Sequence, residues 1–453
     1  MKQKYLIVFL YLAISLLLSC KHIDHEYIEI HERNMWIKET METFYLWIDQ
    51  IPENLDPYSS IDSKAYFEKY RYEDDPWSWI SDDYFKTINK YNGISSTSGM
   101  QYSLGIVADK YSIVGVVGYV LPGTPAAEAN IKRGDIFSHV NGISLNMDNY
   151  YGLLTAGGTY TLSFVKMKDQ ILELDRVVSI TEIENYEENP IFIDTVFEVE
   201  NRKIGYLMYN SFLIDFEDEV ADVFNEFKLD GITDLILDLR YNSGGSADAE
   251  KHLADLIAPE SALGEIYSNT IYNDIQNERM RNRLGPNYCY SRIRANDANI
   301  NLTGNLIGIT SPQTASASEE LLNGLDPFVN LTIVGDTTHG KYTSMIVLPD
   351  NKKNPKWAII PIVAMMTNKN NVSVKGGIAP DISLDDNPLD GYPLGDIREA
   401  MLSKAIEQIT GIPTLKSARI KHDFIQKPFT VFKGSEEVRA LPIILNIGEI
   451  MPQ

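Results

Sequence analysis

The chain has 453 residues, 44% hydrophobic and 23% charged. That is the make-up of a globular protein with length for about three domains of roughly 150 residues each. A formal net charge of −23 argues against nucleic-acid binding, because phosphate recognition needs a basic footprint.

The chain opens with Lys2 and Lys4, followed by an apolar run from Tyr5 to Leu18. The run is too short to span a bilayer comfortably and suits a signal-peptide core. It ends in Leu17-Leu18-Ser19-Cys20, which resembles a bacterial lipobox. That resemblance implies a signal peptide over 1–19, lipid on Cys20 and a polar tether over 20–32. The expected location is the bacterial cell envelope, with the body anchored to the membrane by lipid. Lys21 follows the cysteine where an aspartate would retain the protein at the inner membrane, so the outer membrane is favoured. Lipid on Cys20 leaves Cys289 alone and no intramolecular disulfide possible.

From Met35 the pattern is helical. Trp36, Ile37, Met41, Phe44, Tyr45, Trp47, Ile48 and Ile51 recur at intervals of three or four until Pro52. A second aromatic stretch, Tyr66 to Ile80, is expected to pack on this helix. Together they predict a small helical domain over 33–92.

Over 93–168 short β-type runs appear, including Ser112–Val120 and Tyr160–Val165. Pro122-Gly-Thr-Pro-Ala126 starts a short helix. Arg133-Gly134-Asp135-Ile136 turns into a strand, and Asn141-Gly142 is a tight hairpin turn. This order resembles a PDZ domain. Ser103, Leu104, Gly105 and Ile106 match the PDZ loop that offers backbone N–H groups to a peptide's terminal carboxylate. A linker is expected over 169–199.

From about 200 the chain alternates strands and helices. Lys203–Phe212, Leu235–Leu239, Asn305–Thr310 and Leu331–Gly335 read as strands, with helices over Phe216–Phe227 and Ala247–Ile257. This predicts an α/β core over 200–412, a β-sheet with flanking helices, its key loops at strand ends. Residues 413–453 have weak periodicity and no assigned role.

Two loops carry the chemistry. Thr314-Ala-Ser-Ala-Ser-Glu319 holds Ser316 between small residues, and Glu319, Glu320, Leu321, Leu322 and Leu325 begin a helix behind it. Free N–H groups at such a helix start can bind an oxyanion. Gly335-Asp-Thr-Thr-His-Gly-Lys341 places Lys341 25 positions later. A serine hydroxyl needs a base, and an amine serves if its pKa is lowered.

Six motifs stand in order: the PDZ-like body, Ile204-Gly-Tyr with Ser211-Phe212, Asp238-Leu-Arg-Tyr-Asn-Ser-Gly-Gly245, the two loops above, and Gly376-Gly-Ile-Ala-Pro-Asp381. Together they resemble the carboxyl-terminal processing (tail-specific) serine proteases. The helical start resembles the lipoprotein branch of Bacteroidetes-type bacteria. The resemblance implies a ClpP/crotonase-like core, Ser316 as nucleophile, Lys341 as general base, and an oxyanion site on the backbone N–H groups of Gly245 and Ala317. It implies protein or peptide substrates recognised by free C-termini, and no cofactor.

Ser318 and His339 are the competing nucleophile and base. No metal motif is present: His22, His25 and His31 lie in the expected tether. The family commonly has glutamine four residues after the lysine, and Met345 stands there. Thr343 or Ser344 would have to support the amine instead. An inactive, peptide-binding lipoprotein is the alternative reading; a carbohydrate-binding one, from the aromatic segment, leaves the protease motifs unexplained.

Overall fold

The computed structural model describes residues 26–413, apart from 108, 169–170 and 351, together with the strands Phe429–Val431 and Ile443–Ile444. The expected signal peptide, Cys20 and most of the C-terminal segment lie outside the described residues. Among those described, no helix is long and apolar enough to cross a membrane.

The N-terminal part is helical from 26 to 44, which corrects the part of the expected tether that falls on 26–32. Ile30 continues the stripe of Ile37, Met41 and Phe44, and His31 is buried between the rings of Tyr27 and Tyr58. The helix ends after Phe44 and not at Ile51. There the Leu46 N–H donates to the Ile362 carbonyl at 2.9 Å, so a core strand captures the backbone. Tyr66, Phe67 and Tyr70 share one buried cluster with Trp36, Ile37, Met41 and Tyr45, and also with Met345, Ile359 and Ile360. Trp79–Ser81 pairs with Ala358–Ile360, which pairs with Leu348–Pro349. The aromatic segment is therefore part of the α/β unit's core and not a free-standing domain.

The middle part is an antiparallel sheet in the order Phe429–Val431, Met100–Val107, Ile113–Val120, Ile136–Val140, Thr159–Lys168, Ile171–Thr181. Leu104, Val117, Phe137, Leu162, Phe164 and Ile180 build its core. Asn141 and Gly142 both have positive φ, as a tight hairpin turn requires. Ile94–Thr97 pairs with Ile183–Glu187 and closes the module.

The expected linker over 169–199 is corrected by these pairings. Ile171–Thr181 is the return strand of a hairpin. Ile191–Val199 pairs with Arg202–Tyr209 through a turn with positive φ at Glu200 and Asn201. Charged residues on the exposed face of the return strand hide its β pattern in the sequence.

The core sheet runs Ile191–Val199, Arg202–Tyr209, Asp234–Asp238, Asn305–Thr310, Asn330–Gly335, Ile382–Ser383; all pairs but the first are parallel. Both faces are covered, as parallel sheets require. Leu207, Leu235, Leu237 and Leu306 pack with residues of the helices Glu217–Asp230, Ala247–Ile257 and Ala317–Leu325. Tyr206, Ile236, Ile307 and Ile309 pack with the helix Ala400–Thr410. A second sheet contains Ile266–Tyr272, Ile362–Asn368 and Thr343–Met345, with Ile443–Ile444 along its edge.

The three parallel neighbours Asp234–Asp238, Asn305–Thr310 and Asn330–Gly335 end on the same side. Their following loops carry Gly245, Ser316 and Lys341, so topology alone gathers distant motifs at one edge.

Candidate active site

Ser316 is the N-cap of the helix Ala317–Leu325 and has φ 60° and ψ −117°. A non-glycine residue held there stores about 1–3 kcal/mol of strain and needs a rigid surround. Glu319, three residues on, supplies much of it. Its Oε2 accepts from the Ser316 N–H at 2.9 Å and from the Lys341 N–H at 2.9 Å. Its Oε1 accepts from the Gly340 N–H at 2.6 Å and the Thr338 hydroxyl at 2.5 Å. One buried carboxylate thus ties the serine turn to the lysine loop. Burial raises its pKa, and these donors oppose the rise.

Lys341 is 1% exposed. Loss of water lowers its amine to about 7, against an upward pull from Asp75 and Glu319. Its Nζ lies 3.4 Å from Met345 Sδ. A thioether is a weak acceptor, so this neighbour does little to stabilise the ammonium form. Neither Thr343 nor Ser344 hydrogen-bonds the amine among the described residues. Ser344 Oγ lies 2.7 Å from Met366 Sδ. Thr343 Oγ1 is buried without a hydrogen-bond partner among the described residues. His339 is exposed, and its backbone N–H donates to the Thr314 carbonyl.

The loop Arg240–Gly245 packs against the serine turn. The Ala315 N–H and the Ser318 hydroxyl both donate to the Asn242 carbonyl, at 3.1 and 3.0 Å. Ser318 is therefore a structural tie. Asn242 Oδ1 accepts from the Gly244 N–H at 2.8 Å. Gly245 has φ +143°, and a Cβ there would fall 2.2 Å from the Phe212 carbonyl oxygen, so only glycine fits. Among the described residues the N–H groups of Gly245 and Ala317 have no hydrogen-bond partner. That leaves two donors for a developing oxyanion.

Ser103, Leu104, Gly105 and Ile106 are not in a loop. They lie inside the strand Met100–Val107, paired with Val116, Gly115, Val114 and Ile113. The loop reading is corrected: alternation through Met100, Tyr102 and Leu104 buries one side of the run and makes it a strand. On its other edge the chain's own Phe429–Val431 pairs with Val107, Ile106 and Gly105.

Sequence reasoning missed the connecting roles of Glu319, Asp75 and Asn242. Glu319 had a signal, the Ser-x-x-Glu spacing of a capping box. Asp75 had none; it reaches Lys341 through tertiary packing alone.

Residues 203–384 match the family model Peptidase family S41, and residues 32–79 match the Peptidase S41 N-terminal domain. The chain is 25% identical over 324 residues to a carboxyl-terminal-processing protease of Picosynechococcus, covering 70% of this chain and 72% of that protein. It is 26% identical over 304 residues to a carboxy-terminal-processing protease of Bartonella bacilliformis, covering 64% of this chain and 63% of that protein's length. Among solved structures, a Bacteroides fragilis protein assigned to the S41 proteases gives a TM-score of 0.68 at 23% identity, covering 83% of this chain and 97% of that one. The photosystem II D1 C-terminal processing protease gives 0.51 at 18%, covering 84% and 99%. The fold is that of the S41 proteases, and the family models and the sequence relatives support peptidase family S41.

Proposed function

We propose that this chain is a serine endopeptidase of the carboxyl-terminal processing type, acting through Ser316 and Lys341. The observation that carries the reading is the convergence of the Ser316 and Lys341 backbones on Glu319 beside a dehydrated amine lowered to about 7. In the proposed route neutral Lys341 takes the Ser316 hydroxyl proton as the oxygen attacks the scissile carbonyl. The oxyanion accepts from the Gly245 and Ala317 N–H groups. The Lys341 ammonium gives its proton to the leaving amine. Water then loses a proton to Lys341 and attacks the acyl carbon; the acid leaves and Ser316 recovers its proton.

The module over 94–187 is proposed to be PDZ-type, with the edge of Met100–Val107 taking a substrate chain end as an added strand. The pairing of Phe429–Val431 along that edge supports its capacity to accept a strand. A lipid on Cys20 is proposed to hold the protein in the cell envelope.

Cleavage of casein and of tailed peptides tests the reading. Ser316→Ala and Lys341→Ala should each lower kcat by about 10³-fold or more, and the double variant should lose little further. Because neutral amine is the active form, the rate should fall as pH drops through about 7. His339→Ala should keep that limb. Ordinary cleavage by Ser316→Ala overturns the assignment.

A further inference from the structure

A cavity of about 580 Å³ lies beside the lysine loop, walled by Trp47, Tyr72 and Trp77 from the N-terminal part and by Gly340 and Tyr342, which bracket Lys341. Its volume is in the usual ligand-pocket range of about 300–1,000 Å³. The four aromatic rings are each half-buried, so each keeps surface toward water. Trp77 meets Tyr342 edge-on with centroids 5.8 Å apart, and Trp47 meets Tyr72 at 5.9 Å. These contacts fix the rings as a wall instead of letting them collapse into the space. Lys375 stands at the same cavity with its ammonium 5.3 Å from the Tyr342 ring centroid, and Asp74 is the one acid there. The wall is thus aromatic, with one charge of each sign beside it. That pattern matches a peptide whose side chain enters while its polar backbone stays outside. Aromatic faces prefer an edge or offset ring as guest, worth about 0.5–1.5 kcal/mol beyond burial.

We propose that this cavity is a specificity pocket for an aromatic side chain of an extended peptide substrate, near the bond to be cut. The proposal rests on the protease reading above for its role but not for its binding. The N-terminal part then selects substrate, since three of the four rings come from it. Trp47 and Trp77 are specificity-determining positions, not catalytic residues.

The test uses the full chain carrying Ser316→Ala, which cannot turn over peptide, and two extended peptides differing only in Phe or Ala at one position. Tryptophan fluorescence should change on adding the Phe peptide, and it should bind about tenfold or more tighter than the Ala peptide. Trp47→Phe and Trp77→Phe, mild enough to keep the fold, should each remove part of the fluorescence change. Trp77→Ala should bring the two affinities within about threefold. Scanning the Phe along the peptide with the unsubstituted protein should place it at a fixed distance from the cut. Equal affinity for the two peptides, or a Phe preference untouched by Trp77→Ala in a protein that still melts cooperatively, overturns the pocket. Selective binding without any cleavage by the unsubstituted protein would leave the pocket standing and remove the protease reading instead.

Discussion

Two regions dock on the catalytic core, and different forces hold them. The N-terminal part is joined by buried aromatic and aliphatic side chains: Trp36, Tyr45, Tyr66, Phe67 and Tyr70 against Met345, Ile359, Ile360 and Ile362. The middle β-module is joined around a charged centre. Arg133 bonds Asp386 at 2.5 Å, the Tyr241 hydroxyl at 2.9 Å and the Gly118 carbonyl at 3.0 Å. Behind Asp386 stands fully buried Arg240, which also bonds Asp238 at 2.7 Å and Glu399 at 3.0 Å. Tyr119, its ring 5.0 Å from that of Tyr241, shields one side.

The contrast assigns each half of the site to a different neighbour. The lysine half leans on the apolar joint, because Met345 belongs to that cluster. The serine and oxyanion half leans on the charged joint, because Arg240 and Tyr241 begin the loop that ends in Gly245. Apolar contacts respond little to pH, whereas ion clusters respond strongly.

The largest effects should come from cutting each joint at its centre. Arg240→Ala leaves the buried carboxylates of Asp238 and Glu399 unpaired and should cost about 3–5 kcal/mol. Phe67→Ala should cost a similar 3–5 kcal/mol, through a cavity. Urea melts at several pH values separate them. The Arg240→Ala loss should shrink as the orphaned carboxylates take up protons in acid, while the Phe67→Ala loss stays flat. A pH-independent cost for Arg240→Ala would break the comparison.

A smaller effect is expected at the rim of the charged joint. Burial pushes the Asp386 carboxyl up, but Arg240 and Arg133 hold it down at about 2. A depressed carboxyl gives stability that is complete above its ordinary value near ~4 and lost as pH falls through its folded value. Arg133→Ala should therefore lower stability by about 1–3 kcal/mol at neutral pH and flatten the acid limb of the melting curve. An unchanged acid limb would mean that Arg240 alone sets this carboxyl.

The smallest effects sharpen the apolar side. Asp75 belongs to the N-terminal part yet raises the Lys341 pKa against the lowering by burial. Asp75→Asn should move the activity limb to lower pH. Met345→Gln, which adds an amide oxygen near the ammonium, should move it to higher pH. The plateau rate should change by less than about tenfold in both. A limb indifferent to Asp75→Asn would mean that this joint touches the base only sterically.

The sequence alone determined what depends on near neighbours. Leu235–Leu239 and Leu331–Gly335 read as strands because a parallel strand covered on both faces is a mainly apolar run, broken here only by Asp238 and Thr332. Ser316 could be placed at a helix start because the small residues, Glu319 and the following leucines are local. Asn141-Gly142 was legible because its backbone conformation selects those residues. The return strand Ile171–Thr181 was not legible, since Glu173 and Asp175 on its open face and Arg176, stacked over the Phe164 ring, interrupt the apolar pattern. The strand state of Ser103–Ile106 and the helical start at 26 depended equally on what packs against them. Only the tertiary structure decided that Glu319 also holds the lysine loop, and that Asp75 and Trp77 stand beside that loop. These contacts join segments far apart in the chain. Periodicity and capping report hydrogen bonds within a few residues, whereas such meetings are set by which strands lie side by side and which apolar faces must be buried together.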